Sequence, residues 1–581
     1  TPQMKQLYFV ITYLCFSLSW AQLQPIDFNQ RIKESNVVVE GVVLEQNPVW
    51  NSKKTKIYTV NRIQVYKIFK GTKSLTHIDI CTPGGTIGFE KHEVNPSLKL
   101  KAGDTGLFIL KPTQTSLEGK NNAALFRPYG TKMGFLKYDL TKGTAKGPFK
   151  SFNTIDKSLY NAIKTVTTHS YEEVVPLDTK KKDAAFSAKR NLDITSITPL
   201  ITTAGTQTSI TINGSGFGNF TGEVRFSEAD EVGAEFISGA ASELLSWNDT
   251  QIVVQVNEGA GTGPIQVVRS TGEQITSSQS LTVNYALTNV EYQSEFYRTQ
   301  HIDKNGNGGY IWQMHSAFDN NTAAKEAFMR SFNTWRCETG VNWQIGNTSS
   351  VDVAEKDDVN LILFDDNDPL NEGVLGVCIN YFTGCAQGAN ILWYADELDI
   401  IFRTASNFPV NRGWNFTTNA PTGNEMDFET VATHELGHGH ALGHVIDTQD
   451  IMHPSIGYGI IKRIPNTNNI AGANNVQNRS TTTSVCNQNS MTNFDCSLSI
   501  ETANNFRIKA SLNPHTKILY VNSKTFIEEL SIHNVLGQPI LLNESNAYIS
   551  RVDLSQLNRG VYFLIAKSQN NSTSLKFLIS H

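Results

Sequence analysis

Between residues 36 and 112 the apolar positions come in short runs, VVVEGVVL, KIYTVNRIQVYKIFKG, HIDICTPGG and DTGLFIL, broken by Gly, Pro and Asn. Short apolar-rich runs bounded by turn residues predict strands, and here an all-β domain built as a small barrel. The charged stretch YEEVVPLDTKKKDAAFSAKR, residues 171–190, then reads as a linker. A second β unit follows in ITSITPLITTAGTQTSITINGSGFG, EVRFS, WNDTQIVVQV, GTGPIQVVRS and LTVNY, with the strand and turn spacing of a sandwich. From residue 286 to about 500 the pattern changes. TAAKEAFMRSFNTWR has helical spacing, DVNLILFD is a buried type of strand, and a second helix is expected over about 427–442. Residues 460–495, rich in Asn, Ser and Thr, read as irregular covering loops and a linker. The tail, 506–581, returns to alternation in KILYVNS, FIEELSIHNVLGQPI, RVDLSQLNRGVYFLIA and SLKFLIS.

The expected architecture is therefore multidomain. A signal peptide occupies 4–21, a β-rich N-terminal domain with its linker 22–190, and an immunoglobulin-like β-sandwich 191–286. An α/β domain follows over 287–500, and a C-terminal β-sandwich over 505–581. Met4, Lys5, the run LYFVITYLCFSLSW and Ala21 form the charged start, apolar core and small cleavage residue of a secretory signal. No second such run follows, so no transmembrane segment is expected once the signal is removed.

Composition changes the picture little. The 581 residues are 39% hydrophobic and 18% charged with a net charge of −5, and no basic run is interleaved with aromatics, which argues against nucleic acid as a partner. Beyond the signal, Cys81, Cys337, Cys378, Cys385, Cys486 and Cys496 make an even count that suits disulfides in an exported chain. The near pairs Cys378/Cys385 and Cys486/Cys496 are the simplest to bridge, and the remaining connectivities stay open.

Candidate chemistry concentrates in HELGHGHALGH, residues 434–444. Residues four apart on a helix lie one above the other, so His434 and His438 project from one face and can grip one cation. Glu435 stands beside them, where a base for an activated water belongs. His440, two residues beyond His438, faces nearly the opposite side. His444 can join the pair only if the chain turns back first, at Ala441 or at Gly443. Asp447 or a downstream Glu is the alternative third ligand.

Residues 434–444 together with Met452 resemble a metzincin metalloprotease, whose pattern is H-E-x-x-H-x-x-G-x-x-H followed by a Met-turn. The spacing from His444 to Ile451-Met452-His453-Pro454 is that of the matrixin-like branch, and AAKEAFMRSFNTW, VNLILFD, GVLGVC and ELDIIFR reproduce its order of elements. The resemblance implies one catalytic zinc on His434, His438 and His444 with water as the remaining ligand. It makes Glu435 the general base, Met452 a hydrophobic floor beneath the metal, and a protein or peptide the substrate. The family places a glycine where this chain has Ala441.

Ile197-Thr198-Pro199, the turn Ile212-Asn213-Gly214-Ser215-Gly216-Phe217-Gly218 and the strand at 247–256 resemble an IPT/TIG domain. The GSGFG turn opens no helix, so it is no phosphate loop. Asn513-Pro514, Leu536-Gly537-Gln538, Asp553-Leu554-Ser555 with Leu557, Gly560-Val561-Tyr562-Phe563 and Lys576-Phe577-Leu578-Ile579 resemble a type IX secretion sorting domain. That implies the type IX machinery as a partner and a secreted or cell-surface location.

Three further features read as structural. The loop at 303–309 is a polar turn, with structural calcium as the lesser reading because no bidentate Glu follows. Residues 365–368 read as a solvated loop, and Cys81 as a disulfide cysteine. A surface adhesin or glycan-binding protein with a vestigial metal site is the rival function, because most of the modules are β units of the kind that bind or space.

Overall fold

The computed structural model describes residues 23–71, 75–119, 125–177, 192–496, 508–513, 517–568 and 571–579. It divides into two compact units, Thr1–Phe494 and Asp495–His581. The expected signal at 4–21, and residues 178–190 of the expected linker, lie outside the described residues. Among those described, no helix is long and apolar enough to cross a membrane.

The N-terminal module closes a ring of strands. Val37–Trp50 pairs with Ile57–Lys70, then follow His77–Pro83, Leu125–Pro128 and Thr105–Pro112, and the last pairs back with the first. Alternate positions such as Val39, Ile63, Ile80 and Phe108 point inward and are fully buried, the reason a period of two yields a filled barrel. Part of the expected linker is in fact strand, since Glu172 and Glu173 pair with Ile68 and Lys67. Cys81 is a free, buried thiol and not a disulfide cysteine.

The next module is a sandwich of a four-stranded and a five-stranded sheet over a core that includes Ile210, Phe226 and Val267. Its GSGFG turn is tied down by Trp247, whose indole N–H donates to the Gly218 carbonyl.

In the following segment Tyr310–Met314, Trp343–Ile345, Asn360–Phe364 and Asn390–Phe402 pair in parallel. Asn360–Phe364 is buried at every position, as a strand covered on both faces must be. Gly376–Gln387 adds to Asn390–Phe402 in the antiparallel sense. On its other side it takes a strand from the N-terminal module, Glu90–Asn95, registered from Cys378 opposite Asn95 to Thr383 opposite Glu90. The first and third modules thus share one sheet, which satisfies a backbone edge that would otherwise be open.

Helix Thr322–Thr339 is capped by Asn321, which accepts from the Ala324 N–H, and ends on Gly340 at φ +70°. It lies against a second helix, Phe428–Gly439, with Ser331 and Trp335 donating to the carbonyls of Glu429 and Thr433. Residues 460–495 depart from expectation, because Thr467–Thr482 is a helix. Its apolar stripe is small, with Gly472, Ala473 and Val476 buried. A Cβ at 472 would meet Leu442 and Tyr285 at 2.8 and 2.9 Å, so close approach replaces bulk.

Disulfide pairing also departs from the near-neighbour expectation. Cys385 bonds to Cys486, across 101 residues, while Cys378 is a free buried thiol. Cys337 and Cys496 are each disulfide-bonded. Asp365 is buried rather than solvated, accepting from the backbone N–H groups of Leu370 and Thr404 and from the Asn407 amide. Within the loop at 303–309 Asp303 accepts from the Gly308 N–H and Asn305 from those of Asn307 and Gly309, while Lys304 reaches out to Asp358 and Asp396.

The second unit is an antiparallel sheet in which the long strand Ile518–His533 pairs with Ile508–Asn513, Pro539–Asp553 and Gly560–Ser568. Leu519, Val521, Leu530, Ile532 and Leu564 form its core.

Candidate metal centre

Helix Phe428–Gly439 begins on Asp427, whose carboxylate accepts from the Thr430 N–H and is held by Arg463. Phe428, Val431, Ala432 and Leu436 sink into the core, so the helix is fixed along its length. An adjoining face presents His434 and His438, with ring centroids 4.6 Å apart and Nε2 atoms 3.0 Å apart. The chain then reverses at Ala441, which has φ +58°. Its N–H donates to the His438 carbonyl at 2.9 Å and that of Leu442 to Gly437 at 3.0 Å, the two bonds of a Schellman motif. Gly443 serves another purpose. Its N–H donates to the Ala286 carbonyl at 2.8 Å, and a Cβ there would come within 3.1 Å of the Ala286 methyl.

The reversal brings the His444 ring to 4.8 Å from that of His438 and 5.4 Å from that of His434. One ligand atom from each of the three buried histidines lies within 4.8 Å of the others. It is the one such grouping of metal-binding side chains among the described residues. Each Nδ1 is already engaged: His434 with the Ile451 carbonyl at 2.6 Å, His438 with that of Leu442 at 2.8 Å, His444 with the Asp230 carboxylate at 2.5 Å. These acceptors favour the proton on Nδ1 and turn each Nε2 toward the centre of the cluster. The Nε2 of His444 is buried with no hydrogen-bond partner. Burial, and then the neighbouring imidazoles, push the pKa of His434 well down and that of His438 to about 3. For His444 burial again lowers the value and outweighs the opposing pull of Asp230. Three neutral imidazoles with converging nitrogens fit a zinc ion.

Glu435 is fully buried beside this cluster. A Cβ at position 376 would stand 2.6 Å from its Oε1, so the glycine there makes room for the carboxylate. The Met452 thioether packs against the same helix at Gly437, where a Cβ would meet its sulfur at 2.4 Å. Asp450 holds this turn, accepting from the Met452 N–H and from the amides of Asn466 and Asn469.

His440 stands outside the cluster. It is packed between Trp335 and Trp343, at centroid distances of 5.1 and 4.6 Å. Asp447 is exposed and accepts from the Gln449 N–H. A cavity of about 1160 Å³ opens among the three N-terminal modules and reaches His444, with Asn95, Lys99, Asp230 and Glu258 on its walls.

Residues 310–473 match the matrixin family model. The matrixin match contains all three histidines, Glu435 and Met452. Residues 192–285 match the IPT/TIG domain, and 513–580 the secretion system C-terminal sorting domain. No curated protein matches the chain. The chain is thus a multidomain, strand-rich protein in which a TIG domain precedes a matrixin domain. The matrixin domain is that of a metallopeptidase, and the sorting domain indicates export by type IX secretion to the cell surface or extracellular space.

Sequence reasoning missed Asp230 and Gly376. Gly376 carries a weak signal, a glycine opening an otherwise apolar strand. Asp230 carries none, lying 214 residues from the histidine it touches.

Proposed function

We propose that the chain is a secreted zinc-dependent endopeptidase in which His434, His438 and His444 hold the metal and Glu435 is the general base. The observation that carries this reading is the arrangement of the three neutral imidazoles, each tied off at Nδ1 with its Nε2 converging on the others, next to a buried carboxylate. Zinc, when bound, supplies a Lewis acid that acidifies water and polarises a peptide carbonyl. The chain's own groups do the rest. The Glu435 carboxylate takes the proton from the attacking water and passes it to the leaving amine. Gly376 keeps a pocket open for that carboxylate, and Met452 floors the helix without contributing a ligand. The substrate is a protein or peptide, and the sorting domain engages the type IX machinery.

Glu435→Gln tests the assignment. The amide matches the carboxylate in shape and leaves the imidazoles untouched, but it cannot accept the proton. The variant is expected to keep its zinc and to lose cleavage of a peptide library by several orders of magnitude. Wild-type turnover in a variant of confirmed metal content would remove Glu435 from the mechanism.

A further inference from the structure

At Nδ1 the shortest contacts of two of the three histidines are local, to the Ile451 and Leu442 carbonyls of the matrixin domain itself, with the Asn95 amide farther from His438 at 3.4 Å. His444 leans on a side chain from another module. Asp230 sits just beyond strand Glu223–Glu228 of the TIG domain, in a turn closed by backbone bonds from Ala229 to Gly259, Val232 to Ala229 and Gly233 to Glu228. Its Oδ1 lies 2.5 Å from His444 Nδ1 and its Oδ2 lies 2.6 Å from Nζ of Lys132. Lys132 is itself buried and belongs to the N-terminal module. The contact is held in register by Ile446, two residues past the histidine. Its side chain fills the space over Gly261, where a Cβ would come within 2.5 Å, and the space over Gly233, where a Cβ would come within 3.3 Å.

We infer that Asp230 of the TIG domain is a positioning residue of the metal centre, orienting His444 so that its Nε2 faces the metal. The inference rests on the zinc reading given above. A carboxylate on the far nitrogen of a ligating imidazole fixes its tautomer and ring angle and raises its basicity, more strongly than a neutral carbonyl does. Lys132 in turn keeps the carboxylate charged and aimed. The TIG domain is then part of the centre rather than a spacer, and metal affinity is coupled to the docking of three modules on one histidine.

The test measures zinc affinity of the full chain by competition with a chromophoric chelator, for wild type, Asp230→Ala, Asp230→Asn and Glu235→Gln. Nitrogen NMR of the His444 ring in the metal-free protein is read alongside. Asp230→Ala is expected to weaken zinc by about 10–100-fold and to lose the preference for the Nδ1-protonated tautomer. Asp230→Asn, which still accepts the N–H but without charge, should fall between it and wild type. Glu235→Gln lines the same cavity without touching the histidines and should bind as wild type does. Wild-type affinity in Asp230→Ala overturns the inference and leaves the peptidase reading standing. If the alanine variant does not fold, wild-type affinity in Asp230→Asn overturns it instead. A wild-type chain with no affinity for zinc overturns the reading on which the inference rests.

Discussion

Ala441 takes a left-handed backbone at φ +58°, where the family uses glycine. For alanine that conformation costs about 1–2 kcal/mol. The two Schellman bonds and the burial of the Ala441 methyl offset it, and the reward is the placement of His444. Without the reversal, six residues of continued helix would carry His444 about 9 Å along the axis from His438. Both histidines of the HExxH pair and the exclusion of His440 were legible in the sequence, because 100° per residue decides them without tertiary information. Whether the chain reversed at 441 or 443 was not legible, since the choice depends on Ala286, which claims Gly443 for close approach. Zinc titration of single variants checks the assignment: His444→Ala should bind the metal far more weakly, while His440→Ala, which removes a ring packed between two tryptophans, should bind nearly as wild type. The reverse ranking would exclude His444 as a ligand.

Among the elements, those with strong periodicity were the ones the sequence announced. Helix Thr322–Thr339 and strand Asn360–Phe364 follow from apolar spacing and an all-apolar run. Helix Thr467–Thr482 did not announce itself, because its buried stripe has Val476 as its one large apolar residue, the rest being Asn469, Gly472, Ala473, Gln477 and Ser480, and its N-cap is a reciprocal pair, Asn466 with Asn469. Strand Asn390–Phe402 carries a different burden. Glu397 and Asp399 are both fully buried, the first accepting from the N–H groups of Asp357 and Asp358, the second from Leu361 N–H and the Tyr381 hydroxyl. Burial, reinforced by the charges of Asp357 and Asp358, pushes the pKa of Glu397 from 4.5 to about 8. A raised folded-state value means the folded chain holds a proton that the unfolded chain releases above pH 4.5. That contribution to stability is whole below 4.5 and is lost as pH rises through about 8. Glu397→Gln is neutral at every pH, so its melting temperature relative to wild type should climb between pH 4.5 and 8 and level off above. A difference that does not change across that window would show that Glu397 is not the group that holds the extra proton.

For the molecule as a whole, the modules were legible and their joints were not. Each module declares itself through local pattern, strands at turn-bounded spacing or a motif within eleven residues. The joints depend on partners far apart in the chain. Strand Glu90–Asn95 completes a sheet with Gly376–Gln387, and Lys132, Asp230 and His444 form a line across three modules. Neither leaves a mark on local periodicity. What the assembled chain is claimed to do is hydrolyse peptide bonds with one zinc on three histidines, and the most direct measurement is peptide cleavage by the full chain as zinc is removed and returned. Stripping with a chelator should abolish cleavage, and added zinc should restore it with a plateau at one equivalent. Cleavage that survives complete stripping, or a chain that takes up one zinc on the triad and cleaves no member of a broad peptide library, would contradict the account.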